Sequence, residues 1–133
     1  MKHILVVEDD PYNAILFKKL LERRGGYQVS VSESGDEIVR LVSEGAVELV
    51  IMDVSLANTR YQKVRMSGVE MCQLLKKDAA TSGTPVLLAT AHAMRGDAEA
   101  LMKESGADDY VAKPILDHDA FMQQVRSMLK EAA

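Results

Sequence analysis

Tryptophan is absent from this 133-residue chain, cysteine occurs once and proline three times. A single thiol, Cys72, can close no internal disulfide and build no cysteine-rich zinc site. Its plain place is as a small buried apolar side chain, and the expected compartment is a reducing cytoplasm. With so few prolines and only eight glycines, collagenous, mucin-like and disordered chains are excluded. Long hydrophobic runs are missing too. The first, Ile4 to Val7, is cut short by Glu8-Asp9-Asp10, which leaves it too brief for a membrane span and too acidic for a signal sequence. Positive charge is not in excess: 16 Lys and Arg face 20 Asp and Glu, a net charge of −4. Non-specific nucleic-acid binding depends on cationic surface, so the chain is not expected to bind nucleic acid directly. At this length one domain over residues 1–133 is expected, with no room for a second output domain.

What is present is an alternation of short β-branched runs with stretches of helical period, the pattern of a parallel sheet with crossover helices. The runs are Ile4-Val7, Tyr27-Val31, Leu49-Met52, Val86-Ala89 and Tyr110-Ala112. The first, third and fourth are continuously apolar, as strands covered on both faces must be. The second alternates, with Tyr27, Val29 and Val31 on one side, which places it at a sheet edge. Asp10-Pro11 reads as an N-cap with proline at the first helical position, and that helix runs through Phe17, Leu20 and Leu21 to a Gly25-Gly26 stop. Ser34 to Glu37 has capping-box spacing ahead of Ile38, Leu41 and Val42. A third helix follows Gly68 and buries Val69, Cys72 and Leu75. A fourth covers about Met94 to Ser105 with Ala98, Leu101 and Met102 inward, and the last starts near Asp117 and buries Phe121, Val125, Met128 and Leu129. Right-handed crossovers then give a three-layer α/β sandwich.

Ligands of open parallel α/β sheets bind beyond the carboxyl ends of the strands. There this chain places Glu8, Asp9 and Asp10, then Asp53, then Thr90, then Lys113-Pro114. Converging carboxylates repel unless a cation or proton sits among them, and an oxygen-only set suits Mg²⁺. A lysine and a threonine opposite supply donors for phosphoryl oxygens. The residues alone therefore point to a Mg²⁺-dependent phosphoryl site, with Asp53 as the candidate nucleophile.

The segments Ile4-Leu5-Val6-Val7-Glu8-Asp9-Asp10-Pro11, Val50-Ile51-Met52-Asp53, Ser67-Gly68-Val69-Glu70, Leu88-Ala89-Thr90-Ala91 and Gly106 to Pro114, in this order, resemble the receiver domain of two-component response regulators. The resemblance covers nearly the whole chain. It implies a flavodoxin-like (βα)5 doubly wound fold with strand order 2-1-3-4-5. It implies Asp53 as the phosphoacceptor, Asp9 as a direct Mg²⁺ ligand, Glu8 acting through water, and the backbone carbonyl of Ser55 as a further ligand, with Mn²⁺ able to substitute. Thr90 matches the hydroxyl that turns toward the phosphoryl group, Lys113 the lysine that pairs with it, and Tyr110 the switch aromatic. Asp10, His92, which lies near the water path two residues past Thr90, and Pro114, which follows a bond that is cis in many relatives, are accessory positions. The implied partners are a sensor histidine kinase or histidine phosphotransfer protein, and an output protein on the face of the fourth helix, fifth strand and fifth helix. The implied role is a stand-alone signalling switch rather than an enzyme, with self-catalysed phosphorylation and autodephosphorylation.

Rival readings are a non-phosphorylated docking module, a haloacid-dehalogenase-like phosphatase and a flavodoxin-like cofactor protein. The phosphatase would need a second acid where Ser55 stands, and the cofactor protein a phosphate-cradling loop where Glu8 to Asp10 stand. One departure from the family is plain. Gly68 follows Asp53 by about seven residues more than the family pattern, giving an extended loop at about 54–67, and Ala57 replaces a usual proline. The added stretch, Asn58 to Arg65, holds three cations and no acid. A solvated mobile loop is its plain reading, a partner-contact lobe the sharper one.

Overall fold

The computed structural model describes residues 2–91 and 95–131. Its elements run β1 (His3–Val7), α1 (Pro11–Gly25), β2 (Gln28–Val31), α2 (Gly35–Ser43), β3 (Leu49–Asp53), β4 (Arg60–Tyr61), β5 (Val64–Arg65), α3 (Gly68–Lys77), β6 (Val86–Thr90), α4 (Arg95–Ser105), β7 (Asp109–Ala112) and α5 (His118–Met128). Five strands pair in parallel in the order β2-β1-β3-β6-β7, and β4 with β5 forms a separate antiparallel pair. With that small pair left out of the count, this is the expected 2-1-3-4-5 order.

Side-chain alternation sorts the central strands between two cores. Ile4, Val6, Ile51 and Leu87 point to one face and pack with Phe17 and Leu21 of α1 and Phe121 and Val125 of α5. The rings of Phe17 and Phe121 meet at 5.7 Å. Leu5, Val7, Val50, Met52 and Leu88 point to the other face, against Ile38 and Val42 of α2 and Met71, Cys72 and Leu75 of α3. Because both faces are covered, the runs read from the sequence as continuously apolar are fully buried. At the edge, β2 turns Val29 toward the first core and leaves Val31 exposed.

Helix termini follow local chemistry. Asp10 caps α1 by accepting from Tyr12 N–H, and Gly26 closes it at φ 68°, a left-handed position that favours glycine. The capping box expected at Ser34 is half formed. Its hydroxyl accepts from Glu37 N–H, but its own N–H donates to Ser32 Oγ. The reciprocal box stands at α3, where Ser67 Oγ accepts from Glu70 N–H at 3.1 Å and Glu70 Oε1 from Ser67 N–H at 3.0 Å. In α5, Met122 takes a fully buried place, whereas Met128 is half-buried. Met94, the expected start of the fourth helix, lies outside the described residues. No helix among the described residues is long and apolar enough to cross a membrane.

The stretch read as an extended loop contains the β4–β5 hairpin. Arg60 pairs with Arg65 and Tyr61 with Val64 across a turn whose centre, Gln62 and Lys63, has φ of 49° and 71°. Thr59 is buried and its carbonyl accepts from Met66 N–H at 2.8 Å, while Tyr61 packs on the second core. The hairpin lies against the start of α2. A Cβ at Gly35 would collide with the Arg60 carbonyl, and Gln62 N–H donates to the Asp36 carboxylate.

Candidate functional site

Strand register brings the polar residues together. Val7 pairs with Met52, so Glu8 and Asp53 emerge side by side one step later. Asp53 pairs with Ala89 and Thr90 with Ala112, so Thr90 and Lys113 follow on the next strands of the same rim. A polar or charged side chain at or just beyond the ends of β1, β3, β6 and β7 is therefore enough to assemble one site.

Glu8, Asp9 and Asp53 each offer a carboxylate oxygen within 4.8 Å of the others. Glu8 and Asp53 are buried and Asp9 half-buried. The Lys113 ammonium lies 3.0 Å from Glu8 Oε1 and 3.0 Å from Asp53 Oδ1, bridging the two. Burial, then the adjacent Asp53, push the Glu8 carboxyl up to about 7 against the pull of Lys113. Burial by itself would lower Lys113, but hydrogen bonds and charge from Asp53 and Glu8 outweigh it and hold the ammonium above its ordinary value. Three carboxylates thus gather in a partly desolvated pocket with one ammonium, which pairs with two of them. That surplus of negative charge, carried entirely on oxygen donors, fits a hard divalent cation.

The surrounding backbone holds these groups in place. Ser55 N–H donates to Asp53 Oδ1 at 3.2 Å, and Ala57 N–H donates to Asp9 Oδ2 at 3.1 Å, so the loop after β3 ties the two aspartates. Asp10 donates its N–H to Glu8 Oε2, but its own carboxylate is engaged as the cap of α1 and stands outside the acidic trio. Thr90 is buried, and its carbonyl accepts from Lys113 N–H at 2.9 Å. The Lys113–Pro114 peptide is cis. Tyr110 is half-buried against the second core, and its carbonyl accepts from Gln124 Nε2 of α5, which also reaches Asp109. His92 lies outside the described residues.

Two features of the site escape a reading of the sequence. Lys113 is shared between Glu8 and Asp53 rather than paired with Asp53 alone. Gly68 is a contact residue as well as a helix start: a Cβ there would collide with the Asp53 carbonyl, and its N–H donates to Val54 O at 3.1 Å. The signal for Gly68 was its place between Ser67 and the capping Glu70.

Comparison with known proteins agrees with this geometry. The model of the response regulator receiver domain family matches residues 4–130. The Polar-differentiation response regulator DivK of Brucella ovis is 34% identical over 131 residues, which cover 98% of this chain and 98% of that protein. The receiver domain of a signal transduction histidine kinase from Syntrophus aciditrophicus superposes with a TM-score of 0.79 at 32% identity, covering 98% of this chain and 91% of that one. The receiver domain of a sensor histidine kinase from Pseudomonas aeruginosa, solved with magnesium coordinated in its active-site cleft, gives a TM-score of 0.79 at 25% identity over 98% of both chains. The chain belongs to the response regulator receiver domain family, the signalling receivers of two-component systems.

Proposed function

We propose that Asp53 is the phosphoacceptor of this receiver and that its phosphorylation is the signal. The observation that carries the reading is a strand-end carboxylate, buried, 3.0 Å from a lysine ammonium and grouped with two further carboxylates. An Asp53 carboxylate oxygen forms a bond to phosphorus as the bond from phosphorus to a donor histidine nitrogen breaks, and the imidazole leaves. Water later cleaves the acyl phosphate and restores the carboxylate, a reaction for which the chain's own site is the catalyst. Asp9, Asp53, the Ser55 carbonyl and, through water, Glu8 would hold Mg²⁺, or Mn²⁺ in its place, which supplies charge neutralisation when bound.

Lys113 is released from its bridge to Glu8 and Asp53 as it turns to a phosphoryl oxygen, and the Thr90 hydroxyl donates to another. Tyr110, on the strand paired with that of Thr90, follows. The change would be read by a protein bound on the face formed by α4, β7 and α5, with Gln124 reporting it to α5 through its bond to the Tyr110 carbonyl. The donor is a histidine kinase or a histidine phosphotransfer protein. The haloacid-dehalogenase-like alternative has no support, because Ser55 presents no carboxylate two residues after Asp53.

Intact-mass measurement after incubation with acetyl phosphate tests the reading. A Mg²⁺-dependent gain of about 80 Da, one phosphoryl group, lost in Asp53→Asn, is expected. Full labelling of Asp53→Asn would place the acceptor elsewhere, and no gain in either protein would favour a docking module.

A further inference from the structure

The β4–β5 hairpin breaks several local rules within eight residues. Arg60 and Arg65 stand directly opposite each other, a like-charged cross-strand pair that weakens a ribbon. Gln62 and Lys63 both hold positive φ, a backbone state that Asn and Gly adopt at far lower cost. Val64 is 59% exposed. Arg60, Lys63 and Arg65 are exposed, and none forms an ion pair among the described residues. The nearest acid placed by a hydrogen bond is Asp36, whose carboxylate is engaged by Gln62 N–H. Such conflicts concentrate where function, rather than stability, sets the residue.

The hairpin is nonetheless firmly held. Buried Thr59, Tyr61 packed against the second core, the close approach of Gly35 to the Arg60 carbonyl and the Asp36 bond fix it on the start of α2. That helix begins beyond the carboxyl end of β2, in the parallel sheet whose carboxyl ends carry Asp53. The hairpin backbone is therefore held at the same end of the sheet as Asp53, with three exposed cations on it. A protein surface is favoured over nucleic acid, since without these three cations the rest of the chain is still more negative than its net −4.

We infer that the hairpin of residues 58–65 selects the phosphodonor, its three cations meeting an acidic surface that flanks the donor's phosphohistidine. The inference rests on Asp53 being the phosphoacceptor. Like-charged rims raise the rate of encounter with a complementary partner and suppress wrong ones more than they add affinity. The effect should therefore appear in transfer rate and in its salt dependence.

The test uses purified histidine kinases from the source genome, each autophosphorylated with labelled ATP, alongside acetyl phosphate as a donor too small to touch the hairpin. For the kinase that transfers fastest to the wild type, Arg60→Glu/Lys63→Glu/Arg65→Glu should cut the transfer rate by about tenfold or more and flatten its fall with added salt. Labelling by acetyl phosphate should stay within about twofold. Lys63→Gln, at the exposed turn, should give a smaller loss in the same direction and serves if the triple variant does not fold. Unchanged kinase transfer with intact acetyl phosphate labelling would overturn the inference. Absence of labelling by every donor in the wild type would instead remove the phosphoacceptor reading beneath it. Salt-sensitive binding of the wild type to a random DNA duplex, lost in the triple variant while kinase transfer persists, would overturn it in favour of a nucleic-acid surface.

Discussion

Glu8, Asp9 and Asp53 were legible as single letters because they stand at or just beyond the ends of the buried strands β1 and β3, where an ionic side chain is costly without a partner, and Lys113 because it follows the last strand at the same rim. Which acid the lysine serves was not legible, since sharing between Glu8 and Asp53 depends on side-chain reach across two strands. Gly68 shows the same limit: its contact is with the Asp53 backbone, and only Cα placement reveals it. Gly68→Ala should destabilise the fold by about 2 kcal/mol or more, because the obstacle is backbone that cannot swing aside. Denaturant midpoints check this, and a midpoint equal to the wild type's would mean that the loop after β3 gives way. Cys72 is fully buried, and burial pushes its thiol up to about 11. Its thiolate is scarce at neutral pH, so a disulfide thiol reagent should modify the native protein only at the rate of unfolding. Rapid stoichiometric modification in buffer would contradict that burial.

At the level of elements, the helices and the five long strands could be read from periodicity and caps, whereas β4 and β5 could not. A two-residue strand has no period, and Gln62-Lys63 carries none of the Asn-Gly chemistry that marks a tight hairpin. The capping-box spacing at Ser34 is likewise only half used, because Ser34 N–H donates to Ser32 Oγ, and among the described residues the reciprocal box stands at Ser67. Restoring favourable turn chemistry should relieve the backbone: Gln62→Asn/Lys63→Gly is expected to raise stability by about 1 kcal/mol. A lowered midpoint in urea would show that the side chains replaced contribute more than the turn costs. Glu70→Ala removes one half of the α3 box and should cost about 1 kcal/mol, read in the same titration.

Across the whole molecule, the doubly wound sheet was legible because its two cores need continuously apolar central strands, and three of the five runs supplied them. Charge at the rim is the global liability of this arrangement. A cation that binds the folded chain and not the unfolded one stabilises it by mass action, about 2.7 kcal/mol at a hundredfold excess over Kd. Mg²⁺ should therefore raise Tm by several degrees, with the gain absent in Asp9→Asn. Alkaline stability carries a separate mark. Burial and the Glu131 carboxylate that accepts its hydroxyl at 2.7 Å push Tyr27 up to about 12. Ionisation is easier in the unfolded chain, so the stability tied to this phenol is whole below about pH 10 and is lost as pH rises through about 12. Tyr27→Phe should flatten that loss in an alkaline unfolding titration. The bond from Gly68 N–H to Val54 O, finally, pinches the chain shut between the end of β3 and the start of α3. A second neck, Met66 N–H to Thr59 O, closes beyond Ser55 and Ala57, which hold the aspartates, so cargo spliced between Gln62 and Lys63, such as a fluorophore tag or an epitope, can ride on this chain without levering the carboxylates apart.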